Sequence, residues 1–166
     1  PCPSGTHWST ADNTCVLDGK TASGNCQEGY IPIYTAAQLA AINTSADTLG
    51  KSYCLMNDID LEKEGYGKSY NNGEGWIPIG NYSTAFTGTF DGNDKEISNL
   101  YINKYEYYQG LFGYVTSGKI NNLGVTDIDI TGGDYVGGLV GDDEGQVGFA
   151  LARRTRGGGR EVSRSA

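Results

Sequence analysis

Ile97-Ser98-Asn99-Leu100, followed by Gly110-Leu111-Phe112-Gly113, comes back as Ile120-Asn121-Asn122-Leu123, followed by Gly138-Leu139-Val140-Gly141. A period of twenty-odd residues is the mark of a chain that stacks turns of itself. The two Ile starts are 23 residues apart and the two Gly-Leu blocks 28. Aligned on the starts, Leu100 stacks on Leu123. The five-residue difference then falls between Leu123 and Gly138, in a loop carrying Thr131-Gly132-Gly133-Asp134. The apolar alternation changes phase at Asn99 and Asn122, and Asn tolerates left-handed backbone angles, so both read as chain corners. One unit is therefore strand, Asn corner, strand, loop, Gly-flanked strand. Ile102, Leu111, Val125 and Leu139 point inward and need apolar partners in the turns above and below. The fold class is all-β, a parallel solenoid.

Composition agrees. Gly is 26 of 166 residues, about twice ordinary usage, and helices should be scarce. The formal charge is −8, unevenly spread: 7 Lys and 19 acids give residues 1–152 a charge of −12, while 5 Arg and one Glu give residues 153–166 a charge of +4. An acidic body repels nucleic acid and anionic lipid, so no nucleic-acid partner is expected. Five Arg without interleaved aromatics give the tail little beyond charge. No apolar run approaches the roughly 18 residues that span a bilayer. A start at Pro1, without Met, fits a processed or trimmed product.

Four cysteines, three of them within the first 26 residues, suit an oxidising compartment. Of the three possible connectivities, Cys2–Cys15 with Cys26–Cys54 is favoured. The first would close a loop around His7 and Trp8, and the second would tie an amino-terminal module to the first turn of the solenoid. Zinc is the alternative, but no CxxC or HxxxH spacing is present and His7 is the only histidine.

Residues 1–29 show no helix or strand period and read as a small irregular module. Tyr30-Ile31-Pro32-Ile33 is a short strand whose Pro32 suits an edge. Thr35-Ala36-Ala37-Gln38 has the form of a capping box and opens a single helix over roughly 36–43, with Leu39 and Ile42 on one face. That helix would cover the exposed end of the solenoid. From Tyr53 the pattern becomes two-residue, with Leu55, Asn57, Ile59 and Leu61 on one side. Trp76-Ile77-Pro78-Ile79-Gly80 is another apolar run, and Phe86, Gly88 and Phe90 alternate up to the turn dipeptide Asp91-Gly92. Val147 stands where a third unit should begin, 27 residues after Ile120. There Gly148-Phe149 replaces the Asn corner, and residues 149–166 read as a disordered or atypical basic tail. The domains expected are thus 1–29, 30–148 and 149–166.

In joint order, Tyr34-Thr35-Ala-Ala-Gln38-Leu39, Tyr53-Cys54-Leu55-Met56-Asn57-Asp58-Ile59-Asp60-Leu61, Trp76-Ile77-Pro78-Ile79-Gly80, Phe86-Thr-Gly88-Thr-Phe90-Asp91-Gly92 and Ile97-Ser-Asn99-Leu100 resemble the opening of secreted bacterial GLUG-motif repeat proteins. Gly110–Gly113 and Gly138–Gly141 would be the motif itself. The resemblance covers about residues 33–147. It implies a right-handed parallel β-helix in a secreted or cell-surface protein, of adhesin type or beside the peptidase domain of immunoglobulin A peptidases. It carries no catalytic residues into this region.

Candidate chemistry is sparse. Asp58 and Asp60, like Asp127 and Asp129, share a strand face and could hold calcium or run acid/base hydrolysis. They read more simply as outward polar positions. Asp91-Gly-Asn93-Asp94-Lys-Glu96 lacks the sixth-position Gly and distant Glu of a calcium loop, and reads as a hairpin-like turn. Asp142-Asp143-Glu144 reads as a solvated loop. A nucleophilic triad would have to use His7, in the irregular module. No cofactor is expected. Tyr66, Tyr70, Trp76, Tyr82, Tyr105, Tyr107 and Tyr108 are the candidate ligand contacts, because exposed aromatics stack on sugar rings or protein surfaces. Asn43-Thr-Ser45 and Asn81-Tyr-Ser83 fit the glycosylation sequon. The expectation is a non-enzymatic extracellular or cell-surface module that meets protein or glycan surfaces and assembles into a homo-oligomer or filament. The competing one is a glycan-binding or glycan-cleaving β-helix, or an accessory domain of a secreted peptidase.

Overall fold

The structure is a computed structural model that describes residues 26–148, together with the backbone of 6–9, 14–17 and 150–152. Strand β1 (Thr6–Ser9) pairs antiparallel with β2 (Thr14–Leu17), so the amino-terminal module contains a hairpin where the sequence shows no strand period. Cys2 lies outside the described residues, and the Cys2–Cys15 pairing with it. The Cys26–Cys54 disulfide is present, its Cα atoms 5.8 Å apart, with Met56 Sδ 3.2 Å from Cys26 Sγ.

After β3 (Ile31–Ile33) the capping box forms as expected: Thr35 Oγ1 accepts from the Gln38 amide, and Gln38 Oε1 accepts from the Thr35 amide. It starts α1 (Ala36–Ala41), which runs into a 3-10 turn over Ile42–Thr44. Ala36, Leu39 and Ile42 bury their side chains in the core. A second short helix, α2 (Ala46–Leu49), follows, capped reciprocally by Ser45 and Thr48. The helix expected over 36–43 thus forms as α1 with its 3-10 extension, and α2 is a further helix beyond it.

Every remaining strand pair is parallel. Strands β3, β4 (Ser52–Leu55), β6 (Thr89–Ser98), β8 (Phe112–Thr126) and β10 (Val140–Val147) lie side by side in chain order. Strand β5 (Ile59–Asp60) adds to β6, and β11 (Ala150–Ala152) to β8. Strands β7 (Tyr101–Asn103) and β9 (Asp129–Thr131) pair separately. The registers form vertical columns: Ile31, Tyr53, Phe90, Ile120 and Val147 in one, Ile59, Ile97 and Val125 in another, Ile79, Phe112 and Val140 in a third. From Tyr53 to Ile120 the first column is buried, as are the whole second column and, in the third, Ile79 and Phe112. Each such side chain is removed from water by its neighbours above and below, at roughly 25 cal/mol per Å² of apolar surface buried.

These registers correct the sequence alignment. Ile97 sits beside Val125, Ile102 beside Ile130, and Phe112 beside Val140, an offset of 28 in each case. Leu123 lies beside Lys95, not Leu100, and Leu100 O accepts from Asp129 N at 2.9 Å. There is thus no five-residue insertion after Leu123; the two Ile-x-Asn-Leu blocks occupy different corners of the stack. The physical reason is that both corners need a left-handed Asn followed by an inward Leu. Asn99 and Asn122 have φ of 58° and 55°, and Leu100 and Leu123 are buried. Leu111 and Leu139 do face the core.

Three further expectations change. Asp91-Gly92 does not close a hairpin, because β6 runs through it with parallel neighbours on both sides, and Asn93 and Asp94, at φ 52° and 56°, bend the strand. Asn57 faces solvent instead of sharing a side with Leu55 and Ile59, because it turns the corner between β4 and β5. Residues 150–152, assigned to the basic tail, form β11 against Leu123–Val125. The corner asparagines also link successive turns: Asn57 donates to Tyr34 O, Asn93 to Leu55 O, and Asn99 to Asp60 Oδ1 at 2.9 Å.

Candidate functional site

The Gly-Leu-x-Gly blocks explain the most distinctive surface. Gly113 is packed so closely that a Cβ there would overlap the carbonyl oxygens of Gly80 and Tyr108. At Gly141 a Cβ would lie 2.7 Å from the carbonyl oxygens of Gly113 and Tyr135. Only glycine lets the turn that carries Tyr108, and then the turn that carries Tyr135, fold down onto the following strand. Both tyrosines have φ of 60°, and the residues after them, Gln109 and Val136, pair across adjacent turns.

This geometry stacks the rings. Tyr82 and Tyr108 lie 5.7 Å apart with planes 17° from parallel, and Tyr108 and Tyr135 lie 5.0 Å apart at 10°. Tyr114 packs against Tyr82 and Tyr108, and Tyr107 meets Tyr108 edge-on at 79°. Burial is the main cause that raises the Tyr108 and Tyr114 phenols above their ordinary value; next come the neighbouring Tyr135 for Tyr108 and a hydrogen bond with Glu144 for Tyr114, with the charges of Asp142 and Glu144 adding to both. They stay neutral donors at physiological pH.

Beside the stack lies a cleft of about 160 Å³ between the Trp76–Asn81 segment and Lys104–Gln109. Its walls mix ring, amide and charge. Lys104 Nζ sits 3.3 Å from Glu74 and 3.5 Å from Glu106; the hydrogen bond to Glu74 is the main cause of its raised pKa and holds it as a cation. Asn43 is fixed at both ends of its amide, donating to Pro78 O and accepting from Gly80 N. Gln109 is 4% exposed; its Nε2 donates to Tyr107 O at 2.8 Å, and its buried Oε1 accepts from no group among the described residues. A second cavity of about 190 Å³, lined by Ala40, Asn43, Thr44, Tyr70, Trp76 and Ile77, adjoins it across Asn43, Trp76 and Ile77.

The aromatics chosen from sequence separate into three groups. Tyr82, Tyr107 and Tyr108 come together at the stack. Tyr66 and Tyr70 pack on each other at 4.6 Å, and Tyr66 meets Trp76 at 5.9 Å. Trp76 itself is only 2% exposed and donates its indole N–H to Leu111 O at 3.0 Å, so it is a core residue rather than a stacking platform. Tyr105 is 84% exposed and lines neither cavity. Tyr114, Tyr135 and Gln109 are the site residues that sequence reasoning missed. Tyr108 precedes the first Gly-Leu block by two residues and Tyr135 precedes the second by three, so no shared spacing marks the pair in the sequence; only the pairing of Gln109 with Val136 brings them together.

The Asp58–Asp60 pair is occupied by corner hydrogen bonds, and so is Asp91. Asp58 accepts from Glu96 N at 2.8 Å, Asp60 from Asn99 Nδ2 and Lys63 N, and Asp91 from Asn93 N. Asp142 and Asp143 accept from the backbone of their own segment. Among the described residues no three His, Cys, Asp or Glu side chains come together as a metal site, and no helix is long and apolar enough to cross a membrane. The two sequons differ: Asn43 is tied into the cleft wall, whereas Asn81 is exposed and accepts from Ser83 N and Thr84 N.

No family model matches the chain, and no solved structure matches it. Two curated proteins are similar to it. Halomucin of Haloquadratum walsbyi is 37% identical over 133 residues, which is 79% of this chain and 1% of that protein. A putative Gly-rich membrane protein of Evansella cellulosilytica is 32% identical over 152 residues, 82% of this chain and 15% of that protein. The chain therefore spans only a small part of either relative's length.

Proposed function

We propose that this chain is a right-handed parallel β-helix of GLUG type, serving as a non-enzymatic structural module of a secreted or cell-surface protein. The vertical columns of apolar side chains carry the architectural half of the reading, since Tyr53, Phe90, Ile120 and Val147 lie beside one another in strands that run parallel in chain order. A right-handed crossover between parallel strands is the general rule. The extracellular half draws support from the Cys26–Cys54 disulfide, which belongs to an oxidising compartment. It also draws on the relatives' names, one a mucin and the other a membrane protein. Asp58, Asp60 and Asp91 accept structural hydrogen bonds, which suits a scaffold better than a hydrolase.

Assembly is the finer reading. Among the described residues β10 pairs only with β8, and a parallel stack that ends on an unpaired edge accepts another strand there. Antibody raised against the folded module should label intact source cells without permeabilisation. Labelling that required permeabilisation would overturn the surface assignment, and a monomeric sedimentation profile up to high concentration would overturn self-assembly.

A further inference from the structure

We propose that the two adjoining cavities beside the tyrosine stack are subsites for consecutive sugar units of a neutral glycan. The larger reading of the chain as a surface module supplies only the place where such a glycan would be met; the binding site stands on its own geometry.

Size comes first. At about 160 and 190 Å³, each cavity falls below the ~300 Å³ at which sites for drug-sized ligands begin. Each has room for one small ring and not for a nucleotide or an extended cofactor. They share Asn43, Trp76 and Ile77 as a common wall, so a ligand entering both would be a chain of at least two small units.

Chemistry narrows the class. Gln109 Oε1 is a buried acceptor without a donor at a position that lines the first cavity, and leaving such a group unmet is costly enough that native interiors rarely do so. That oxygen has under 1 Å² of accessible surface, so a sugar hydroxyl supplies the missing donor only as the Gln109 side chain turns toward the cavity on binding, and the hydroxyl then accepts in turn from a neighbouring group. Asn81 offers that neighbour: its Oδ1 is held by Ser83 N and Thr84 N, which leaves the Nδ2 donor for a ligand. Tyr107, 62% exposed, touches Tyr108 only edge-on, so a ring face remains open at the rim for the apolar face of a sugar. Lys104 is already shared between Glu74 and Glu106. Among the described residues the cleft thus has no uncommitted cation to recognise a sulfate or carboxylate, and the acidic body repels one. That selects neutral sugars over anionic ones, and over acidic peptides.

The test is an array of immobilised neutral and anionic oligosaccharides probed with the intact chain, followed by titration of the best neutral disaccharide or trisaccharide. Binding should be confined to neutral members. Tyr107→Ala and Gln109→Met should each weaken it at least tenfold, whereas Tyr105→Ala, outside both cavities, should leave it unchanged. Thermal unfolding of each variant separates lost binding from lost fold. Should Gln109→Met fail to fold, Tyr107→Ala and the shift of the Gln109 side-chain amide NMR signals on titration carry the same decision. Binding to no oligosaccharide, binding only to anionic ones, or equal loss in Tyr105→Ala would each overturn the proposal. None of these outcomes bears on whether the protein is displayed at the cell surface.

Discussion

Tyr108 and Tyr135 lie face to face on successive turns of the chain, 5.0 Å apart and 10° from parallel, each held at φ 60°. A bulky residue in the left-handed region is strained, so two at matched positions show the stack compensating for the backbone. Tyr108 has Tyr82 on one face and Tyr135 on the other. Each aromatic pair is worth about 0.5–1.5 kcal/mol beyond its buried area. Tyr108→Ala should therefore lower unfolding free energy by roughly 2–3 kcal/mol, Tyr135→Ala by about half as much, and Tyr108→Phe by under about 0.5 kcal/mol. Urea denaturation of the three variants checks the order. Equal losses for Tyr108→Ala and Tyr135→Ala would mean that the middle ring has no special place.

The glycines of the repeated block should be intolerant even of alanine. At Gly113 the added methyl would overlap backbone oxygen atoms of Gly80 and Tyr108, and neither can swing away as a side chain could. Gly113→Ala should cost about 3 kcal/mol or more, at the upper end of overpacking penalties. Gly124, whose Cβ would meet its nearest atom at 3.7 Å, is the control, and Gly124→Ala should be neutral or slightly stabilising as the unfolded chain loses freedom. Melting temperatures of the two single variants decide the matter.

Why the stack's composition was legible but its register was not follows from these residues. The Thr35–Gln38 box and the corners at Asn99 and Asn122 are local signals that form where they were expected, and the apolar alternation does so except at Asn57, which turns a corner. Register is non-local: Ile-x-Asn-Leu recurs because two different corners of the same turn need a left-handed Asn before an inward Leu, so sequence likeness aligned positions that are not neighbours. The Gly-Leu blocks gave the true offset of 28, since their glycines are dictated by contact with the adjacent turn. The same cause hid half of the candidate site. Tyr107 and Tyr108 stand out as aromatics in a loop, but nothing local couples them to Tyr135 or leaves Gln109 Oε1 without a donor. Ser45–Thr48 escaped notice because Thr takes the place of Glu or Gln in its capping box.

Acid should loosen the corner at Asn99. Its side-chain N–H to Asp60 is the main cause of the lowered Asp60 pKa, with backbone donors of the Lys63 turn adding to it. A carboxylate whose pKa falls on folding stabilises the native state above its unfolded value, 3.8, and that contribution disappears as pH drops through the lower folded value. The wild type should lose stability below about pH 4 more steeply than Asp60→Asn. At neutral pH, Asn99→Ala should cost about 1–2 kcal/mol, combining a lost hydrogen bond with left-handed strain, and Asn99→Gly less, because glycine removes the strain. Parallel acid titrations of unfolding free energy would show the difference; identical slopes in wild type and Asp60→Asn would exclude this pair.

Reduction should test how far the core depends on its covalent tie. The Cys26–Cys54 bridge spans a separation of 28 residues, and a loop of that length constrains the unfolded chain by about 3.5 kcal/mol. Both sulfurs are buried, so reduction should be slow in the native state and accelerate with denaturant. Cys26→Ala/Cys54→Ala should unfold at lower denaturant yet keep its parallel-sheet circular dichroism, because the columns from Tyr53 to Val147 do not pass through the bridge. Loss of sheet signal in the native buffer would show instead that the tie is required for folding.

Trp76 is the residue whose sequence reading changes most, and its substitution separates a ligand platform from a structural post. The indole spans from the Tyr66–Tyr70 pair to Leu111 O, and so joins the second cavity's wall to the first Gly-Leu block. Leu111 O also accepts from Ile79 N at 3.0 Å, so losing the indole donor does not strand that carbonyl. Trp76→Phe should therefore cost about 1–2 kcal/mol, the lost hydrogen bond plus a modest void, while Trp76→Ala should cost about 3–5 kcal/mol through the cavity it leaves. Chemical denaturation measures both, and iodide quenching of tryptophan fluorescence in a Trp8→Phe background, where Trp76 is the remaining indole, adds the location, since a buried indole is shielded. A Trp76→Ala variant as stable as wild type would return this residue to the surface, where the sequence had placed it.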